Sequence, residues 1–333
     1  MESAKSLLHT LSNNVKVLIN SELEVLDKLA SLIDGGQSKL QVVADYDFTI
    51  SRAHLNGSRC GTCHGIFSHR DAKGLGDKVD SLYRHYYPIE FSSTLTKEQK
   101  VPYMVEWWSK AHDLVCNAGF TRSDLEHLVK NSDMHLRDRC IELFRLLESS
   151  NVPLVIFSAG IADFIEIYLC QTIGEVPKNA HVISNRMLFS CEHNKSTSVT
   201  FAELENRPQC CQANCDVKLS GFREPLIHTF NKNASVVSLQ HRNAINYLAG
   251  HPNVFLMGDS VGDVQMDTGV LEESVALKLG FLNFDRPDLC DEYKNVYDIV
   301  ILDDQSMDVP LAILRAVIGD NSCGSAEDAG NFN

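Results

Sequence analysis

The amino-acid sequence predicts an α/β protein, a parallel sheet covered by helices on both faces, with a mostly helical segment inserted into it. Three observations carry this expectation. Short apolar runs with β-branched residues alternate with stretches of helical periodicity, the pattern of strands joined by crossover helices. Two of those runs end in closely spaced carboxylates and a third in a hydroxyl and a glycine, which places polar groups at strand C-termini. Residues 54–150 interrupt the alternation with helical periodicity rich in Trp, Tyr and His and with no strong parallel-strand run.

In chain order, Leu7, Leu8, Leu11, Val15, Leu18, Ile19, Leu23, Val25, Leu26, Leu29 and Leu32 recur at spacings of three and four. This predicts an amphipathic helix over 7–33, stopped by Gly35-Gly36. The apolar run at 40–44 predicts a buried strand that enters a cluster of acidic and hydroxyl side chains. Within the insertion, 95–112 and 124–147 are the clearest helices. Strands are then expected at 153–157, 254–257, 274–279 and 297–302, with helices at 162–170 and 310–317. Residues 319–333, rich in Gly, Ser, Asn and Asp, are expected to be a flexible tail.

Composition narrows the function classes. The 333 residues carry 44 Asp and Glu against 30 Lys and Arg, a formal net charge of −14. Gripping a nucleic acid backbone needs clustered cationic charge, so no nucleic acid polymer is expected as a partner. No apolar run approaches the roughly 20 residues of a membrane span. The first seven residues lack a charged region followed by an apolar stretch, so no membrane is expected and the setting is read as cytoplasmic. Eleven cysteines, an odd number scattered along the chain, point to reduced thiols rather than a disulfide framework.

Asp45-Tyr46-Asp47-Phe48-Thr49 directly follows the first predicted strand, and carboxylates two residues apart in an extended segment point the same way. Asp45, ionised at neutral pH, can attack without a base to remove a proton. Carboxylate and backbone oxygens are also the ligands that Mg²⁺ prefers. Asp47 can give a proton to a leaving alkoxide and later take one from water, provided its surroundings keep it partly protonated. The pentapeptide alone also fits a solvated acidic strand end. Phe255-Leu256-Met257-Gly258-Asp259-Ser260-Val261-Gly262-Asp263 repeats the layout, with glycines that permit tight turns beside a ligand. Between them, Ile156-Phe157-Ser158-Ala159-Gly160-Ile161 offers a hydroxyl and backbone N–H groups ahead of a helix, suited to phosphate oxygens or to a simple cap.

These motifs resemble the haloacid-dehalogenase superfamily of aspartate-nucleophile phosphohydrolases, whose signature is Asp-x-Asp-x-Thr, Ser/Thr, Lys and Gly-Asp-x-x-x-Asp. Longer segments are similar to the cytosolic 5'-nucleotidase III family, in order over roughly residues 30–318. They are Arg59-Cys60-x-Thr62-Cys63-His64, Tyr86-Tyr87-x-Ile89-Glu90, Pro102-Tyr103-Met104-Val105-Glu106-Trp107-Trp108, Leu226-Ile227-His228-x-Phe230-Asn231-Lys232 and Tyr297-Asp298-Ile299-Val300. The resemblance implies a Rossmann-like core of 1–53 and 151–318 with a helical cap at 54–150. It implies Mg²⁺-dependent removal of phosphate from a small-molecule nucleoside 5'-monophosphate, through an aspartyl-phosphate and without other cofactors.

By motif position, the resemblance makes Asp45 the nucleophile and a metal ligand. Asp47 becomes the acid/base whose carbonyl also binds the metal, Asp259 the remaining ligand and Asp263 the support of the metal site. Ser158 and Ala159 would hold the phosphate, and Lys232 would neutralise it and orient Asp45. Glu90 matches the base-binding glutamate, able to accept hydrogen bonds from amino or ring N–H groups. Trp108 stands where pyrimidine-preferring members carry tyrosine, and Ala111 where they carry serine. Trp-Trp and Ala resemble the branch acting on 7-methylguanosine monophosphate, whose cationic ring an indole face stacks well. Trp107 reads as helix packing.

Two departures stand out. Gly65 replaces a usually larger polar residue, and residues 187–220 form an insertion longer than the family's hairpin. The insertion holds Cys191, His193, Cys210, Cys211 and Cys215, a spacing open to zinc or to a disordered or partner-binding loop. Two alternatives stay open beside the nucleotidase: a non-catalytic nucleotide-binding module, and a phosphatase or phosphotransferase of another small phosphate ester. Base preference and oligomeric state are also open, with a monomer slightly favoured.

Overall fold

The computed structural model describes residues 1–92, 94–191, 194–200, 217–233, 250–267, 275–284 and 286–319. It corrects the expectation of one helix over 7–33. Helix α1 (Glu2–Ser12) ends at Asn13, whose side-chain Nδ2 donates to the His9 carbonyl at 2.9 Å. A short strand, β1 (Val17–Ile19), follows before α2 (Glu22–Gly35), whose start is capped by the Ser21 hydroxyl. The leucine spacing spans the break because both helices pack on one core, with Leu7, Leu11, Leu29 and Leu32 in the same cluster.

Strand β2 (Leu40–Ala44) is fully buried, as expected. A two-residue hairpin, β3 (His54–Leu55) with β4 (Ser58–Arg59), precedes helices α3 (Gly76–Glu90), α4 (Lys97–Asn117), α5 (Arg122–Lys130) and α6 (Cys140–Ser149). The helix expected at 95–112 is α4, begun by a Thr96–Gln99 capping box and longer at its C-terminal end. The helix expected over 124–147 is two, α5 and α6. Asn131 ends α5 through its backbone and side-chain bonds to His127, and Arg139, at φ 63°, starts α6.

The alternation then resumes with β5 (Leu154–Ile161), α7 (Ala162–Ile173) and β6 (Ala180–Asn185). Strands β7 (Met187–Cys191), β8 (Asn194–Val199) and β9 (Val217–Phe222) form a separate antiparallel sheet at the predicted insertion. His193, Cys210, Cys211, Cys215 and the tail from 320 lie outside the described residues. Last come β10 (Asn253–Gly258), β11 (Ala276–Leu282), α8 (Cys290–Val296), β12 (Ile299–Leu302) and α9 (Asp308–Ile318).

The main sheet has the order β1-β12-β11-β10-β2-β5-β6 and is parallel except at β1, which pairs antiparallel with β12. Alternate residues feed opposite faces, as a covered parallel sheet requires. Val42, Ala44, Phe255 and Met257 join the larger core, while Val43, Val254 and Leu256 join a second one that includes Tyr293 and Tyr297. Because β2 lies between β10 and β5, the C-terminal ends of these strands deliver Asp45, Asp259 and Ser158 to one edge. The chain leaves β2 toward β5 on one side and returns to β10 on the other, which opens a crevice at that edge.

Candidate active site

A cavity of about 720 Å³ opens over that edge. It is lined by Asp45, Asp47, Glu90, Trp108, Ser158, Ala159, Lys232 and Asp259 among others, so all but one of the sequence-predicted site residues face a common space. The exception, Asp263, is fully buried beside it.

Asp45 is tied to the neighbouring strand by its N–H bond to the Met257 carbonyl (3.0 Å). Lys232 Nζ bridges two carboxylates, donating to Asp45 Oδ1 at 2.5 Å and to Asp263 Oδ1 at 2.7 Å. The other oxygen of Asp263 accepts the backbone N–H groups of Asp259 (3.2 Å) and Ser260 (3.0 Å) and the Ser260 hydroxyl (3.1 Å). Asp263 thus shapes the loop that carries Asp259. Gly258 is obligatory here, since a Cβ would lie 2.5 Å from the Asp263 Cβ and 2.7 Å from the Tyr297 hydroxyl. Ligand atoms of Asp45, Asp259 and Asp263 lie within 4.8 Å of one another, a hard oxygen set suited to a small divalent cation. With both Asp263 oxygens already engaged, Asp45 and Asp259 are the carboxylates best placed to bind it.

The electrostatics follow from burial. Burial raises Asp45 to about 7, with the charges of Asp263 and Asp47 adding to it and Lys232 opposing. Burial also raises Asp47 to about 6, opposed by the Cys63 N–H, which donates to its two oxygens at 3.0 and 3.2 Å. Asp259 is pushed well above the carboxylate range by burial and by Asp45. Burial works against the Lys232 ammonium, but Asp263 and Asp45 outweigh it and hold the lysine charged.

In the second half of β5, the Ser158 hydroxyl accepts the Gly160 N–H (3.0 Å). The Ala159 carbonyl accepts from Trp108 Nε1 and from Asn185 Nδ2, each at 2.9 Å. Trp108 therefore spends its N–H on the core while its ring still lines the cavity. Trp107, expected only to pack, also lines it and stacks on Tyr86 at 5.7 Å. Glu90, at the C-terminal end of α3, accepts the Thr229 hydroxyl at 2.6 Å, and burial raises its carboxyl. At Gly65 a Cβ would meet the Thr62 hydroxyl at 2.9 Å, and this glycine too lines the cavity.

Several residues here escaped the sequence reading. Asn185 bonds to the carbonyls of Ala159, Gly160 and Ile227 and accepts the Ile227 N–H, knitting the Ser158 loop to the loop that ends in Lys232. The phenols of Tyr293 and Tyr297 hold the carbonyls of Asp259 and Ser260. Of these, only Tyr297 stood in a motif, and none carried a local pattern that announces a support role.

A sequence profile of the pyrimidine 5'-nucleotidase (UMPH-1) family matches residues 48–199 and 209–318. The chain belongs to that family. Members of this family are 5'-nucleotidases, that is, phosphoric monoester hydrolases. A putative cytosolic 5'-nucleotidase 3 of Caenorhabditis elegans is 37% identical over 317 residues, 93% of this chain and 78% of the relative. A 7-methylguanosine phosphate-specific 5'-nucleotidase of Gallus gallus is 37% identical over 304 residues, 91% of this chain and 96% of the relative. The crystal structure of cytosolic 5'-nucleotidase IIIB bound to cytidine superposes with a TM-score of 0.75 at 28% identity, over 93% of this chain and 97% of that one. Among the described residues no helix is long and apolar enough to cross a membrane.

Proposed function

We propose that this 5'-nucleotidase hydrolyses 7-methylguanosine monophosphate and pyrimidine nucleoside monophosphates to nucleoside and phosphate, with Asp45 as nucleophile. The observation that carries the reading is the Lys232 bridge between Asp45 and Asp263, set beside Asp259 at the ends of the neighbouring strands β2 and β10. Asp45 attacks phosphorus as the ester oxygen leaves, and Asp47, whose carboxyl is raised toward neutrality by burial, protonates that oxygen. Asp47 then takes a proton from the water that cleaves the aspartyl-phosphate and regenerates Asp45. Ser158 and the backbone at Ala159 hold the phosphate oxygens, and Lys232 balances their charge, so positioning and charge stabilisation carry most of the catalysis. Asp45, the Asp47 carbonyl and Asp259 would hold Mg²⁺, which when bound neutralises phosphate charge, and Asp263 supports that site.

The base is read above. Glu90 can accept from the amino and ring N–H groups of methylguanine or from the amino group of cytosine. The Trp108 ring suits a cationic purine. The same reading makes 54–150 a cap over a core of 1–53 and 151–318, supported by the way α3 and α4 line the cavity. A cytoplasmic setting goes with it, since one relative is named cytosolic.

The test is phosphate release from CMP, UMP, GMP, AMP and 7-methylguanosine monophosphate, with Mg²⁺ and with EDTA. Release from CMP and 7-methylguanosine monophosphate that EDTA abolishes is expected, and Asp45→Asn should lose turnover but keep nucleoside binding. Full activity in Asp45→Asn overturns the mechanism. No release from any nucleotide overturns the function.

A further inference from the structure

Behind the Asp45 turn lies a cation that the chemistry above does not use. Arg137, between α5 and α6, is 2% exposed, and among the described residues no carboxylate bonds to its guanidinium. Nε donates to the Thr49 carbonyl (2.7 Å), Nη2 to the Phe48 carbonyl (2.5 Å) and to Asn283 Oδ1 (2.8 Å), and Nη1 to the Asp304 carbonyl. Its backbone N–H adds a bond to the Ile50 carbonyl (3.1 Å), and the guanidinium lies 3.9 Å from the Phe281 ring centroid. One side chain therefore joins the turn after Asp45 and Asp47 to the ends of β11 and β12.

The turn needs such a hold. Phe48 sits at φ 63°, a conformation that a bulky side chain seldom adopts unless its surroundings impose it. Here the Phe48 carbonyl is held by Arg137 and by Asn283 Nδ2 (3.0 Å), and its N–H donates to the Ser51 hydroxyl (2.9 Å). A buried guanidinium without a carboxylate partner is a poor way to gain stability, because desolvating the charge opposes folding. Its field also reaches Asp259.

We infer that Arg137 is a positioning residue for the nucleophile, locking the 46–50 turn so that Asp45 and Asp47 face one cavity and leaving a fixed positive charge behind the acidic cluster. This rests on Asp45 being the nucleophile, and the test separates the two ideas. Arg137→Lys keeps the charge but loses the fork, whereas Arg137→Gln loses both. Misplacing reacting groups by about 1 Å can lower turnover by on the order of 100-fold, the loss expected in Arg137→Gln. Arg137→Lys should recover about tenfold of that, with KM within about twofold of wild type in both, because the base and phosphate contacts are untouched.

Amide exchange across 46–51 should quicken in both variants, a readout that needs no turnover. A purely structural role would lower the melting temperature and leave kcat unchanged well below it, and that result overturns the proposal. So does unchanged exchange in the folded variants. If Arg137→Gln does not fold, Arg137→Lys and Asn283→Ala, which removes the bonds to Arg137 and to Phe48, carry the same expectations. Absence of phosphate release in the wild-type protein would refute the nucleotidase reading instead, and the exchange measurement would then show only whether Arg137 holds the 46–50 turn.

Discussion

Replacing Lys232 by Met keeps a stem of similar shape and removes the one charge that Asp45 and Asp263 share. The side chains of all three residues are at most 5% exposed, and the ammonium lies 2.5 and 2.7 Å from the two carboxylate oxygens. Taking one partner from such a buried pair leaves carboxylates without compensation and costs about 3–5 kcal/mol. Asp45 and Asp263 also share their surroundings with Asp259, all within 4.8 Å, so the variant gathers like charge that only protonation or a bound cation relieves. Urea unfolding of Lys232→Met should therefore show a loss of that size without metal, and magnesium should stabilise the variant more than the wild type. In the reaction, losing a preorganised positive donor should lower kcat by about 10²–10³. A stability change under about 1 kcal/mol together with a kcat loss below about tenfold would refute the reasoning, because a buried bridging charge cannot be both central and dispensable.

Three further outcomes follow from single contacts. Thr229→Val removes the hydroxyl that holds Glu90 at 2.6 Å. A bond to a charged group is worth about 1.5–3 kcal/mol, so KM for nucleotides should rise about tenfold or more while ribose 5-phosphate turnover stays level. An equal loss for both substrates would remove Glu90 as the base reader. Trp108→Phe breaks the indole bond to the Ala159 carbonyl and should lower both stability, by about 1 kcal/mol, and the preference for 7-methylguanosine monophosphate over CMP. An unchanged preference would exclude Trp108 from base choice. His112 is stacked on Phe222 at 3.6 Å and has its imidazole lowered to about 2, by burial and then by His64. Its folded pKa lies below the unfolded 6.5, so the unfolded state takes up the proton first and stability falls as pH drops below 6.5. His112→Phe should flatten that fall by up to about 1.4 kcal/mol per pH unit, and an identical slope in urea midpoints from pH 7.5 to about 5 would contradict it.

How much of this was legible in the sequence depends on what each side chain faces. Strands β2, β5 and β10 were readable because they are buried on both faces and run as short apolar stretches into clusters of polar groups. The helix predicted over 7–33 failed for a related reason. Two helices that share one core keep the same apolar rhythm across a break, and only Asn13, Asn14 and Ser21 mark the interruption. Helix α3 was not singled out at all, since its buried residues are Gly76 and Tyr86 and much of its inner face looks into the cavity rather than into a core.

The same distinction sorts the site residues. Asp45, Asp47, Ser158 and Asp259 sit in short motifs on or just beyond the neighbouring strands β2, β5 and β10 and so line one cavity, which Lys232 enters from a loop. Arg137, Asn185 and Tyr293 act through carbonyl groups of segments distant in sequence, such as Phe48, Ile227 and Asp259. A carbonyl acceptor belongs to every residue, so the sequence around a support of this kind carries no complementary signal. Supports of the reacting groups therefore have to be found by asking of each buried charge what it holds, which is how Arg137 separates from an ordinary packed side chain: its donors tie the turn that carries two carboxylates to the segments after β11 and β12.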